Sequence, residues 1–356
     1  MGLDNGFVDR TGPVPAGPSL PDAPTHGPTI RDVAQRAGVS RAAVSKVIRN
    51  AYGVSPDMRD RVNKAIAELD YRPRTAARVM RGSSYTIGLE TPQLENEHHT
   101  QIARGVLSGL AGTGYDLVIQ PSEDISLSMQ TVERLVDRQL AGLVAITPFV
   151  PSDWLERLGQ RVPIVQVGRP HQSVHYDTIT CNDEIGVRLV MDHLFSLGHT
   201  RIVHLSGVAT DSLDAFGPQQ LRLGHYQEAM LARGLRPEVV HCNGREAGAR
   251  RAVLDIMARA DAPTAVFAVH DTVALGALRA AAELGLDPGR LSIVGYDDVT
   301  IASHPLVSLT TVDQFGVEQG KAAARFLLER VRGRTEAVHL QFAPELRTRG
   351  SSARPS

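Results

Sequence analysis

The sequence predicts a small all-α head followed by a two-lobed α/β body. Helix start and stop signals recur at short spacing between Thr29 and Leu69, and apolar runs alternate with helical stretches from Tyr85 onward. Charge divides the same way: residues 28–82 hold 12 Lys or Arg against 5 Asp or Glu, whereas residues 83–356 hold 25 against 31. The chain of 356 residues, at net −1, therefore conceals a basic head.

Residues 1–27 are rich in Pro and Gly without an apolar period, which predicts a disordered arm. The head, residues 28–72, opens with Thr29-Ile30-Arg31-Asp32, a capping pattern for a helix that buries Val33, Ala34 and Ala37. Gly38 follows, able to take the left-handed conformation of a tight turn. Ser40 caps a second helix in which Ala43, Val44, Val47 and Ile48 recur at core spacing, so Arg41, Ala42, Ser45 and Lys46 point outward. Ser55-Pro56 starts a third helix that buries Val62, Ala65, Ile66 and Leu69. This is a helix-turn-helix pattern, and its clustered positive charge suits a polyanion such as DNA. Pro73 interrupts the pattern, and residues 73–83 read as a short basic hinge helix.

In the body, strands are predicted at 86–90, 116–120, 142–146, 164–167, 201–205, 265–269 and 292–296. Their number and the length of the segment predict two doubly wound lobes, one of about 84–181 with 312–333 and the other of about 182–311 with 334–349. A ligand cleft is expected between the lobes, lined by polar residues just beyond strands. Arg169, His270-Asp271 and Asp297-Asp298 occupy such places.

Other chemistries find little support. Cys181 and Cys242 form no disulfide framework or close-spaced metal motif. No apolar run reaches the ~20 residues of a membrane span, and no secretory signal is visible, so a soluble cytoplasmic protein is expected. His98-His99 lack a third metal ligand at suitable spacing, and Asp297-Asp298, as neighbours on an extended segment, point opposite ways. No P-loop, nucleophile elbow or dinucleotide fingerprint appears, and neither an enzyme, a metal nor a cofactor is expected.

From residue 29 to about 349 the chain resembles the LacI/GalR family of bacterial transcription repressors. The resemblance rests on TIRDVAQRAGVSRAAVSKVIRN, VSPDMRDRVNKAIAELDYRP, YTIGLETP, LGHTRIVHLSG, HDTVALGALRA and SIVGYDDVTIASHPLVSLTTVDQ, in that order. It implies a DNA-binding head whose second helix enters the major groove, paired hinge helices in the minor groove, and a periplasmic-binding-protein-like body that closes on a small effector. Partners implied are palindromic operator DNA, a sugar-like effector and a second copy of the chain. No heptad tail follows Arg349, so a dimer is expected.

On this reading Arg41 and Lys46 donate to guanine and Ala42 meets a thymine methyl. Ser40, Ser45, Arg31 and Arg49 hold phosphates. In the hinge, Arg74, Ala77, Arg78 and Met80 face DNA. Met80 replaces the family's usual intercalating Leu and can serve as an apolar wedge, whereas Arg74 replaces an Asn that would cap the helix. The resemblance places effector contacts at Arg222 and Asp297, with His270 and Asp271 where Asn-Asp is common, and of these Asp271 is expected to organise the strand–helix junction as a cap more than to touch ligand. His98, His99 and Arg169 lie at the opposite cleft edge. An exported solute-binding protein and an enzyme on the same fold are the competing classes. The basic head argues against the first and the missing reactive constellation against the second.

Overall fold

The computed structural model describes residues 28–48, 51–71, 84–123, 125–207 and 217–356. The chain divides into two compact units, Met1–Gly82 and Ser83–Ser356. The proposed arm and hinge helix lie outside the described residues, as do Arg49, Arg74, Ala77, Arg78 and Met80.

The head contains α1 (Ile30–Ala37), α2 (Arg41–Ile48) and α3 (Pro56–Glu68). Local chemistry sets each boundary. The Asp32 carboxylate accepts from the Thr29 amide at 2.8 Å, Ser40 Oγ from the Ala43 amide at 3.2 Å, and Ser55 Oγ from the Met58 amide at 3.3 Å. Gly38 ends α1 at φ 64°, a conformation that strains a residue with a side chain. Val33, Val44 and Val62, one per helix, meet in a core completed by Ala34, Val47, Ala65 and Tyr71. Each buried valine contributes roughly 1.5–3 kcal/mol relative to exposure.

The first lobe of the body is built on β1 (Thr86–Thr91), α4 (Glu97–Leu110), β2 (Asp116–Pro121), α5 (Ser128–Asp137), β3 (Gly142–Ile146), α6 (Ser152–Gly159), β4 (Ile164–Val167) and β5 (Asp177–Cys181). The second contains α7 (Asp183–Leu197), β6 (Ile202–Ser206), α8 (Pro218–Ala232), β7 (Glu238–His241), α9 (Glu246–Met257), β8 (Ala265–Ala268), α10 (Asp271–Glu283) and β9 (Ser292–Val294). The chain then weaves between lobes through β10 (Thr311–Asp313), α11 (Gly316–Val331), β11 (His339–Phe342) and β12 (Glu345–Arg347).

The first sheet is parallel with order β11-β5-β4-β3-β1-β2, and the second is parallel with order β7-β6-β8-β9. Helices cover both faces of each, and the apolar residues form two core layers per lobe. Isolated parallel bridges Val294↔Thr310 and Asp297↔Asp313 bring β10 to the second sheet, and β12 pairs antiparallel with β10. The expected lobe boundaries need two corrections, the first being that β10, through Asp313, stands with the second sheet. β11 pairs with β5 in the first sheet, so the chain through Phe342 belongs to the first lobe rather than the second, and only the stretch from β12 onward returns.

Three segments consequently cross between lobes: β5 to α7, β10 to α11, and β11 to β12. Asn182 ties two of them, its amide donating to the Phe342 carbonyl at 3.0 Å. Helices α4 and α11 pack so closely that a Cβ on Gly105 would overlap the Val317 carbonyl, and one on Gly320 would overlap that of Ile102.

Candidate functional site

In the head, α2 turns Arg41, Ala42 and Lys46 to solvent, with Ser45 partly covered, and Arg31 is exposed on α1. Val44 and Val47 anchor the opposite face, so the outward set follows directly from the helical period. Arg36 pairs with Glu68 at 2.6 Å and Arg61 with Asp57 at 3.2 Å, while Arg31, Arg41 and Lys46 have no ion pair among the described residues.

In the body a cleft opens between the carboxyl ends of the two sheets, enclosing about 1280 Å³ of space including its mouth. Its first-lobe wall is made by Glu90 at the end of β1, His98 and His99 in the first turn of α4, Ser128 at the start of α5, and Thr147 and Phe149 beyond β3. Asp183, Gln219, Arg222, His270 and Asp297 supply the facing wall. The structure thus brings five predicted residues together: His98, His99, Arg222, His270 and Asp297.

Arg222, on α8, is the electrostatic centre. Its Nε donates to Asp183 at 2.8 Å, Nη1 to the Val269 carbonyl at 2.9 Å and Nη2 to Gln314 at 3.2 Å. Asp297 lies 3.8 Å away, and the guanidinium carbon sits 3.8 Å from the Tyr296 ring centre. Burial opposes its charge, but Asp183, Tyr296 and Asp297 together raise its pKa and hold it cationic. Gln314 also donates to Asp297 at 2.6 Å. Asp297 adopts φ 120° and Asp298 φ 48°, strained backbone that the Asp297 amide bond to the Val312 carbonyl and the Arg349–Asp298 ion pair hold in place. Burial raises the Asp297 carboxyl to about 6, against the downward pull of Arg222.

The histidines are held neutral. Burial, reinforced by the Arg222 charge, lowers His98 and His270 to about 3, and burial with the neighbouring His98 lowers His99 to about 4. His98 and His99 lie in the first turn of α4, where Asn96 Oδ1 accepts from the His98 amide at 3.0 Å. Among the described residues no group of three His, Cys, Asp or Glu is arranged to hold a metal ion.

Two predicted contacts are placed elsewhere. Arg169 is not among the described lining residues; its Nη1 donates to the Pro148 and Val150 carbonyls at 2.8 and 3.2 Å, bracing the loop after β3. Asp271 is fully buried behind the wall, accepting from Thr311 Oγ1 at 2.6 Å and from the Val299 amide at 2.9 Å. It joins α10, β10 and the turn after β9, and burial raises its pKa well above the ordinary value. Both stand just beyond strands, as predicted, but the carbonyls of Pro148 and Val150 engage Arg169, and the Thr311 hydroxyl and Val299 amide, distant in sequence, engage Asp271.

Sequence reasoning missed Glu90, Asp183 and Gln219. Glu90 is wholly buried; its Oε1 accepts from Ser122 at 2.5 Å and from Ser128 at 3.1 Å, and burial raises it to about 7 while the two serines pull it back. The available signal was a carboxyl ending an apolar strand, the position where open parallel sheets place ligands. Asp183 went unseen because β5, which precedes it, was not predicted. Across the cleft edge the lobes are joined by Arg245–Glu95 at 3.1 Å, by Gln101 donating to the Asp298 carbonyl at 3.1 Å, and by the Thr300 amide donating to Glu97 at 3.0 Å.

Comparison with known proteins agrees with this architecture. Residues 29–74 match the bacterial regulatory proteins of the lacI family, and residues 191–352 match a periplasmic binding protein-like domain. The chain is 36% identical over 343 residues to the HTH-type transcriptional regulator reg1 of Streptomyces lividans, covering 91% of this chain and 96% of that one. It is 31% identical over 333 residues to the ribose operon repressor of Escherichia coli K12, covering 91% and 99%. Among solved structures, the lac repressor dimer bound to operator and the anti-inducer ONPF superposes with a TM-score of 0.78 at 27% identity, covering 92% of this chain and all of that one. The CelR–cellobiose complex superposes at 0.65 with 29% identity, covering 91% and 99%.

Proposed function

The chain belongs to the lacI family of bacterial regulatory proteins, and from that premise we propose that it is an operator-binding transcriptional repressor controlled by a sugar-like effector. The observation that carries the DNA half is the exposed Arg41, Ala42 and Lys46 face of α2 in a head whose residues 28–82 carry net +7. Arg41 and Lys46 read guanine edges, Ala42 meets a thymine methyl, and Arg31, Ser40 and Ser45 fix the helix against phosphates. Arg49, Arg74, Ala77, Arg78 and Met80 are assigned to the same interface from their sequence positions. Two heads on a palindromic site require a homodimer, the form in which the lac repressor binds operator.

The effector half rests on the cleft. The relatives include a ribose operon repressor and a regulator complexed with cellobiose, and a cleft of hydrogen-bonding groups around one buried arginine suits a polyol. Effector binding alters how the lobes meet, and through them the spacing of the heads, so ligand and operator affinities are coupled and reciprocal. No helix among the described residues is long and apolar enough to cross a membrane, consistent with action on cytoplasmic DNA. The protein acts by binding and not by turnover.

Fluorescence anisotropy on DNA upstream of the protein's own gene, and on sites selected from random DNA, tests the reading. Wild type is expected to bind a selected site with an affinity that falls with salt. Arg41→Ala should lose roughly 5- to 150-fold of its preference for that site, the equivalent of about 1–3 kcal/mol per base contact. Equal affinity of the wild type for selected and scrambled DNA would overturn it.

A further inference from the structure

The cleft is rich in acceptors and poor in positive charge. Arg222 is the one Lys or Arg among its described lining residues, and Asp183 at 2.8 Å and Asp297 at 3.8 Å already compensate it. The neighbouring positions 124 and 208–216, outside the described residues, contain neither Lys nor Arg. Glu123 and Glu90 add two further carboxyl groups on the first-lobe side, and the three lining histidines are neutral at pH 7.

Several buried polar atoms of this wall have no partner. Glu90 uses only Oε1 to accept from Ser122 and Ser128, leaving Oε2 unsatisfied, and Gln219 Oε1 and His270 Nδ1 are likewise orphaned. Gln219 Oε1 accepts, Glu90 Oε2 accepts when the carboxyl is ionised, and His270 Nδ1 accepts or donates with its tautomer; a buried polar group without a partner is costly until one arrives. A carboxyl serving only to hold its strand to Ser122 and Ser128 would need one oxygen; Glu90 lines the cleft with its second oxygen unpaired.

We propose that the effector is an uncharged or amine-bearing sugar, that phosphorylated and carboxylated sugars are rejected, and that Glu90 is the specificity-determining acceptor on the first lobe. A hydroxyl or ammonium group fills the vacancy at Glu90 Oε2, the ammonium through a charge-assisted bond. Among the described lining residues an anion meets no uncompensated cation and has to displace Asp183 or Asp297 from Arg222 to find one. The inference rests on the sugar-effector reading and narrows it.

The test is thermal-shift titration of the full chain with matched sugars. The neutral set is glucose, galactose, mannose, ribose, maltose and cellobiose. The amine set is glucosamine, galactosamine and mannosamine, and the anionic set is glucuronate, galacturonate, glucose 6-phosphate and ribose 5-phosphate. At least one neutral or amine member should bind, with its anionic counterparts at least about tenfold weaker. Glu90→Gln, close to isosteric, should weaken the best ligand about tenfold or more while its unliganded melting temperature is no lower than wild type. An anionic sugar binding as tightly as its neutral counterpart overturns the proposal while leaving the sugar reading intact, as does unaltered binding by Glu90→Gln. If no sugar of any charge binds, the sugar reading itself falls and this inference with it.

Discussion

Replacing Arg222 with Met should destabilise the body more than any other single change in the cleft. The substitution keeps most of the stem volume and removes the guanidinium. Asp183 loses a bond of 2.8 Å, the Val269 carbonyl one of 2.9 Å, and Asp297 its nearest cation, all where the acidic side chains are only 6% and 3% exposed. Stranding buried carboxylates in this way costs about 3–5 kcal/mol. For a unit of this size that is about 6–10 °C in melting temperature, at roughly 2 °C per kcal/mol. The loss should depend on pH with a definite sign. Asp297 already titrates at about 6 because burial raises it, and Arg222 is the charge pulling it down. Without Arg222 its pKa climbs further, so the variant suffers most at pH 7 and recovers part of the deficit as pH falls to 5 and the carboxyl is neutralised. Thermal melting followed by circular dichroism at the two pH values measures both quantities. A loss below about 1 kcal/mol at pH 7, or one of equal size at both, would refute the account of Arg222 as the counter-charge of this wall.

Two further stability measurements isolate other buried groups. Glu90 titrates at about 7 in the fold against an ordinary 4.5, so the folded state binds more protons across that window and stability falls as pH rises through it, by about 3 kcal/mol in all; Glu90→Gln should flatten that slope, and an unchanged slope would contradict it. His204 has the opposite sign: burial between Tyr226 and Phe267 lowers it to about 3, so the unfolded chain binds the extra proton and stability falls as pH drops from 6.5 toward 3. His204→Phe should remove part of that acid sensitivity, read as a smaller difference in melting temperature between pH 7 and pH 4.5.

How far the structure could be read from the sequence depended on whether the cause was local. The head was legible because its boundaries lie in residues that act on their own backbone: Asp32 on the Thr29 amide, Gly38 at positive φ, Ser55 ahead of Pro56. Strands β3 and β4 were legible to the residue because β3 is an unbroken apolar run and β4 is interrupted only by Gln166. Strand β5 was not, since Asp177 and two threonines interrupt it. Asp177 is fully buried there only because Arg330 and Arg334, more than 150 positions later, pair with it at 2.9 and 2.6 Å. That partnership is invisible to any local window, and the same nonlocality hid the return of β11 to the first lobe. In the cleft, position just beyond a strand located His270 and Asp297, and equally located Arg169 and Asp271, whereas Arg222, on a helix, was placed by the family resemblance. What separated the two groups was the direction of the side chain, which the carbonyls of Pro148 and Val150 and the partners Thr311 and Val299 decide.

The near contact of α4 with α11 bears on how the body can move. Where Gly105 faces Gly320, backbone rests on backbone, with no side chain between them to change rotamer and take up a displacement. His98 and His99 ride on one end of this pair, and α11 itself begins at a crossing between lobes. The histidine wall is therefore one jaw of a calliper, stiff from tip to pivot. A ligand slightly too large cannot be accommodated by local yielding of that wall and must hold the jaws apart, which converts molecular size at the cleft into an angle at the hinge.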